Sequence, residues 1–488
     1  MDRSHTAAAP ERAGAPITSR TPWVLAAAAA PLFVLAALAV APWWALLLVA
    51  VAAALAVWSL ADVRSAFLVA VLLATFVDYT TGRLTLQFAV VAAWFAWTLL
   101  VLLWRSAWTG IVRPPAEMLP GLAIWLAACA FGVAHGVLRG NSLRSLGVEA
   151  AGALWPLMGI AMMQAFGRRS LTYAALGLVG IGLIHTVFGL TMLQLFQQRL
   201  GGIYFTTVTG VAAVGLWTAA LLAPSGRTRI LCLAAMAPML AHLLFSFTRG
   251  YWLGFVAGIA AATLLSWRNL GRFAPRERAR RLLAVPVLIG VAVATLAFSA
   301  LYFGPGDLVG AIGGRVGSSF STELSPETLS NVVRLEEYDR AIGAALESPI
   351  LGRGLGFMFV TRDLLTRSLQ DQWFVHNYYL LLWLKLGVIG LAAFAALVWS
   401  FSRAALRAAD SEPSWTARAW SIAAVAITVQ VLVILLTNYS LADVNTASVV
   451  GYVWGGFWAW RAGVAGEHRH AYDPGGTHPC SPKTASSS

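Results

Sequence analysis

Lysine is almost missing from this chain: among 34 basic residues, only Lys385 and Lys483 are lysines and the rest are arginines. Charge of either sign is scarce, at 11% of 488 residues, against about 25% in an ordinary soluble domain. Cysteine is rare too. Cys129, Cys232 and Cys480 lie far apart, which excludes a disulfide framework and provides no metal-ligand spacing. Short segments of alternating polarity, the mark of a membrane β-barrel, are absent.

What fills the space is apolar. The chain is 59% hydrophobic, with a mean hydropathy of +0.73. Apolar runs fall at 22–41, 43–60, 64–79, 85–104, 118–137, 147–166, 170–191, 205–223, 228–244, 250–267, 282–302, 377–400, 417–437 and 443–461. Runs of this length satisfy their backbone internally as helices, so the reading is an all-α polytopic integral membrane protein with about 12–14 spans. The balance of +13 and the pI near 10.3 come mostly from arginines in short links between spans. Such arginines encode topology rather than nucleic-acid binding.

The densest basic run, RNLGRFAPRERARR (268–281), sets six arginines against Glu277 and reads as a cytoplasmic anchor. With the N-terminus inside, the outward links hold fewer arginines: Arg83, Arg139, Arg144, Arg199 and Arg249. One long segment, 303–375, carries six arginines and nine acids, a net of −3 that suits translocation. The expected organisation is a cytoplasmic tail at 1–21, a membrane bundle at 22–302, an extracytoplasmic loop at 303–375, further spans at 376–461 and a disordered cytoplasmic tail at 462–488. His468 and His470 in that tail read as solvated residues rather than metal ligands.

The long loop has structure of its own. In SPETLSNVVRLEEYDRAIGAALESPILG, Ser325, Pro326 and Glu327 mark a helix start. Val333, Tyr338, Ile342 and Ala345 recur at helical spacing as its expected apolar face. Pro349 and Gly352 end it, while Gly354 and Gly356 permit a tight backbone path. GRGLG neither follows a strand nor opens a βαβ unit, so it is no nucleotide fingerprint. A cap of two or three helices over a membrane cavity is expected.

Two residues at span ends stand out. Arg249, in LLFSFTRGYWLGFVAG, sits beside an interfacial Tyr251 and Trp252. It reads either as a snorkelling side chain on lipid phosphate or as an anion clamp, because a guanidinium stays charged and grips phosphate through parallel hydrogen bonds. Gly250 would let another element approach. His376, at the head of HNYYLLLWLKLGVIGL, reads either as structural or as a general base near neutral pH. Asn377 would orient a sugar or the imidazole. His135, His185 and His242 are alternatives; His185, deep in a span, reads as a buried helix–helix hydrogen bonder, and His242 lies below Arg249. Arg334, Arg340 and Arg353 each have an acid nearby, so surface pairing is their default. An outward cavity lined by Arg199, Arg249 and Arg334 would attract a diphosphate, and Arg353 is a further candidate for binding diphosphate or glycan.

The stretches SFTRGYWLGFVAG, RLEEYDRAIGAALESPILGRGLG and HNYYLLLWLKLGVIGL, in that order across about 240–392, resemble the O-antigen ligase and polymerase superfamily. RLGGIYFTTVTGVAAVGL resembles its upstream arginine segment. Phe-Thr-Arg-Gly stands where Ser-Arg-Gly is commoner in the family. The resemblance implies a glycosyltransferase C-like membrane enzyme that moves a glycan from undecaprenyl diphosphate to an acceptor hydroxyl. The acceptor would be lipid A–core for a ligase or a second lipid-linked glycan for a polymerase. It implies donor binding by Arg249, a second essential arginine at Arg334, a base or acceptor-orienting group at His376, and Arg199 upstream. Metal and cofactor are not implied; Asp78, Asp363, Asp371 and Asp443 stand isolated. The setting implied is the bacterial inner membrane, with the site facing the periplasm, membrane lipids as neighbours and no nucleic acid. A transporter of anionic lipids and an envelope scaffold are the readings outside enzymes, though no internal repeat favours the first.

Overall fold

The structure, a computed structural model, describes residues 57–60, 62–75, 86–109, 114–153, 155–166, 170–196, 202–246, 248–270, 290, 326–362, 369–412, 414–442 and 444–471. Nearly all of the stretches at 22–41, 43–60 and 282–302, together with Arg199, the bulk of the basic link, residues 303–325 and the last part of the C-terminal tail, lie outside the described residues.

The chain divides into two compact units, Met1–Ala66 and Phe67–Ser488. In the first, the Asp62 carboxylate accepts from the backbone N–H groups of Arg64 at 3.1 Å and Ser65 at 3.4 Å, capping a helix start. The site lies in the second unit.

In chain order the described helices are α1 Val63–Thr75, α2 Leu86–Thr109, α3 Leu119–Leu138, α4 Leu143–Ala153, α5 Trp155–Phe166, α6 Ser170–Phe196 and α7 Gly202–Leu222. There follow α8 Gly226–Phe245, α9 Arg249–Leu270, α10 Pro326–Leu346, α11 Tyr378–Ser411, α12 Trp415–Ile434 and α13 Val444–Ala471. Among the described residues, six helices are long and apolar enough to cross a membrane, or seven if α4 and α5, bent by 49°, form one span. The protein is thus a largely helical, multi-pass membrane protein. α13 runs on to Ala471, past the boundary expected at 461, because RAGVAGEHRHA contains no proline and propagates a helix already started.

In lipid, helices associate through close packing rather than hydrophobic expulsion from water. Small residues make that packing here. Gly250, Gly254 and Gly258 form a stripe on α9 that meets α12 and the residues just after it. A Cβ on Gly254 would lie 2.4 Å from the Ile434 side chain and 2.8 Å from the Gln430 carbonyl. α5 and α13 meet likewise, a Cβ on Gly455 coming within 2.6 Å of Gly159. α12 and the first turns of α13 are buried nearly all round, as is α7 from Thr206 on, so their sequences show no one-sided pattern. Two buried histidines pair between helices: His185 Nε2 lies 2.6 Å from Thr75 Oγ1, as its sequence position suggested. His242 Nδ1 lies 3.0 Å from Thr209 Oγ1, which places this residue inside the bundle.

The segment ahead of α11 is not purely helical. α10 begins at Pro326 as expected, but β1 (Phe359–Arg362) and β2 (Leu369–Gln372) form an antiparallel pair in the register Phe359↔Gln372 and Thr361↔Gln370. Burial alternates with a period of two, Phe359 and Thr361 inward and Val360 outward, but the sequence Phe-Val-Thr-Arg does not alternate in polarity and so did not announce a strand. The buried face of α10 shares Ala345 with the expected one but is otherwise shifted, Val333 and Tyr338 being half-buried. Glu337, Ala341 and Ala345, spaced by four, point inward, while Ile342 is 40% exposed. A carboxylate therefore opens the packed face.

Candidate functional site

The site is built on a broken helix. α11 is interrupted at Gly387, with φ 65° and ψ −166°, a conformation open essentially only to glycine. The turn that follows α10 fills the gap. The N–H groups of Arg353 and Gly354 donate to the carbonyls of Leu384 at 2.8 Å and Lys385 at 2.9 Å. In return the N–H of Val388 donates to the Pro349 carbonyl at 3.0 Å. Non-helical backbone at membrane depth requires such protein partners. The turn can approach because its residues are small: a Cβ on Gly354, where φ is 83°, would come within 2.6 Å of Gly136 on α3.

A buried ion pair locks this junction. Lys385 Nζ donates to Glu149 Oε1 of α4 at 2.5 Å and also to the Phe357 carbonyl. Glu149 Oε2 accepts the Gly356 N–H at 2.8 Å.

At the head of α11, Asn377 is the N-cap. Its Oδ1 accepts from the Leu380 N–H at 3.0 Å, and its Nδ2 donates to the Leu436 carbonyl at 3.2 Å. Its amide thus holds the helix start and the α12–α13 connection together. His376, one residue earlier, is gripped from α10. Glu337 accepts the His376 backbone N–H on one oxygen and lies 2.8 Å from Nδ1 with the other. The Tyr338 hydroxyl donates to the His376 carbonyl at 2.8 Å. Rings of Phe374 and Tyr439 stand edge-on to the imidazole at 5.3 and 5.6 Å. The His376 side chain remains 29% exposed, while that of Glu337 is 2% exposed.

Arg334 lies one turn before Tyr338 on α10 and forms no ion pair among the described residues. Burial pushes the Tyr338 hydroxyl above the usual tyrosine range; the Arg334 guanidinium works against that rise and Glu337 adds to it. The phenol therefore remains a donor, and the Arg334 charge acts on the hydroxyl that holds the His376 carbonyl.

Arg249 is the first residue of α9, half-buried. A cation at a helix N-terminus is opposed by the helix dipole by about 0.3–1 kcal/mol, so helix stability does not explain it. The connection after α12 ties this corner to His376. Tyr378 N–H donates to the Leu435 carbonyl at 2.9 Å, and Thr437 Oγ1 lies 2.1 Å from where a Gly250 Cβ would stand. Asn438 Nδ2 donates to the Tyr251 hydroxyl at 3.1 Å, and Tyr439 meets the imidazole. Leu435–Tyr439 thus touches both the α9 head and the His376 segment.

Arg353 is used elsewhere. It pairs with Glu347, its guanidinium lies 4.6 Å from the Phe357 ring centre, and its carbonyl accepts from Asn141 at 2.9 Å. Arg340 pairs with Glu336 at 3.6 Å along the helix. His135 stacks on Phe131, with ring centres 5.5 Å apart. Sequence reading passed over Glu337, Tyr338, Asn438 and Tyr439 as site residues. For Glu337 a signal existed, since it shares the helical spacing of Ala341 and Ala345; for Asn438 and Tyr439 none did.

Against known protein families, residues 234–395 match a model described as O-antigen ligase. The chain therefore carries an O-antigen ligase family domain over part of its length. That stretch runs from within α8 into α11 and contains Arg249, Arg334, Glu337, Arg353, His376 and Asn377. Glu149 and the Leu435–Tyr439 connection fall outside it. No curated protein matches the chain.

Proposed function

We propose that this membrane protein is a metal-independent glycosyltransferase that moves a glycan from undecaprenyl diphosphate to an acceptor hydroxyl. The acceptor is lipid A–core, at the periplasmic face of the bacterial inner membrane. The observation that carries the reading is that the Arg249 helix and His376, both inside the stretch matching the O-antigen ligase family, share one connecting segment.

The acceptor oxygen attacks the anomeric carbon as the carbon–oxygen bond to the diphosphate breaks, and the electron pair leaves with undecaprenyl diphosphate. Charge grows on that leaving oxygen, so guanidinium groups aimed at it favour the transition state over the ground state. Arg249 and Arg334 take this role, and the N–H groups at the head of α9 add to the positive field. The acceptor proton passes to the imidazole of His376. A single displacement inverts the anomeric centre. The polyprenyl chain remains in lipid and reaches the site between helices.

The test supplies purified protein in lipid nanodiscs with an undecaprenyl-diphosphate glycan, with and without lipid A–core. Transfer to core with inverted configuration is the expected result. Laddering of the lipid-linked glycan alone would replace ligase by polymerase. No transfer in either arm would overturn the reading.

A further inference from the structure

Glu337 has a 2% exposed side chain, yet both its carboxylate oxygens address a single residue. One accepts the backbone N–H of His376, and the other lies 2.8 Å from Nδ1. A carboxylate has no hydrogen to offer, so Nδ1 must supply the one between them. In a neutral imidazole that leaves Nε2 with the lone pair. Rotating the ring by half a turn would set a carbon against the carboxylate and strand an acceptor in a buried place. The edge-on rings of Phe374 and Tyr439 flank the imidazole, and the Tyr338 hydroxyl holds the His376 carbonyl at 2.8 Å. Adjacent residues of α10 therefore fix the main chain of His376 through both its N–H and its C=O, while one of them also dictates where the ring proton sits.

We propose that Glu337 is a positioning residue that holds His376 as the Nδ1–H tautomer and presents Nε2 as the proton acceptor. Its catalytic consequence rests on the glycosyl-transfer reading above; the tautomer itself does not. The carboxylate stands to His376 as a buried acid stands to the histidine of a hydrolase triad, setting tautomer and orientation without touching substrate.

Glu337→Gln separates charge and proton logic from shape. The backbone N–H of His376 can only donate, so the new amide must turn its oxygen to that group and its NH2 towards Nδ1. Nδ1 then has to accept, and the ring proton moves to Nε2. A merely structural contact would not transfer a proton across the ring. The measurement is 15N NMR of full-length protein labelled at histidine, in lipid nanodiscs at a pH where the ring is neutral. The His376 signals are assigned by their loss in His376→Gln. Wild type and Tyr338→Phe should carry the proton on Nδ1, and Glu337→Gln on Nε2. Glycan transfer by Glu337→Gln should fall by about 10^2-fold or more, up to the loss expected when the imidazole itself is removed, as a wrong-tautomer exchange does in a hydrolase triad.

A wild-type proton on Nε2 overturns the proposal, and this reading stands even if the variant fails to fold. So does a tautomer unmoved by Glu337→Gln, or a tautomer that switches while transfer continues at the wild-type rate. If the tautomer switches as expected but wild-type protein transfers no glycan, the positioning of His376 by Glu337 holds and the functional reading fails.

Discussion

Lys385→Met keeps much of the side chain's length while removing its charge and its donors. In the native protein, Nζ reaches Glu149 Oε1 at 2.5 Å and the Phe357 carbonyl as well; the two charged side chains are 2% and 4% exposed. After the substitution, Glu149 keeps only the Gly356 N–H at 2.8 Å. Breaking a buried pair from one side costs about 3–5 kcal/mol, because the remaining charge is stranded. At about 1.4 kcal/mol per factor of ten, the unfolding constant should rise by roughly two to three and a half orders of magnitude. Adding Glu149→Gln removes the stranded charge and keeps an acceptor for Gly356, so the double variant should recover most of the loss. Two assays read this: reversible unfolding in mixed micelles, and trypsin cleavage after Arg353, whose neighbour Gly354 is buried in the intact turn. Cleavage should be slow in wild type, fast in the single variant and slow again in the double. A single variant as stable as wild type, or a double variant no better than the single, would refute the idea that this pair anchors the turn.

Arg249→Lys should lower kcat for glycan transfer by roughly 10^2–10^3-fold with normal folding, because an ammonium cannot reproduce a fork on a diphosphate; single-turnover rates on the lipid-linked donor check it. His376→Ala should lower the same rate by about 10^2–10^4-fold while leaving donor binding intact, which a pull-down with labelled donor would verify. Gly387→Ala should destabilise by about 1–3 kcal/mol from backbone strain and release the turn. The methyl would fall 2.0 Å from the Ile350 carbonyl, which cannot swing aside, and faster cleavage after Arg353 would report the release.

Much of the membrane architecture was legible because its cause is local. A run of apolar residues makes a helix wherever it lies in lipid, so α3, α8, α9 and α12 start and stop within a few residues of the expected spans. Pro326 marked the start of α10, and the glycines of GRGLG marked a tight path, for equally local reasons: a fixed φ in one case and a missing Cβ in the other. What stayed hidden depends on partners distant in sequence. Lys385 is one of only two lysines and stands in an apolar run, yet nothing local names Glu149 as its partner. Of the candidate site, Arg249 and His376 stand out from their places at span ends, and Arg334 from family resemblance. Asn377 and Arg353 stand out as well, and their polar groups hold the helix cap and the turn. Glu337 was hidden because a helix face is judged by its apolar residues, and a carboxylate is counted as pointing to solvent.

The order of synthesis gives the broken helix a further meaning. Glu149 and residues 349–356 are all translated before Lys385 and Gly387. When the ribosome delivers α11, the counter-charge for its lysine and the peptide groups that fill its gap already exist. The groups that pair with its ammonium and its freed amides are therefore already part of the chain. The order of the chain thus allows the ion pair and the turn to form as soon as α11 is made, with every partner already present.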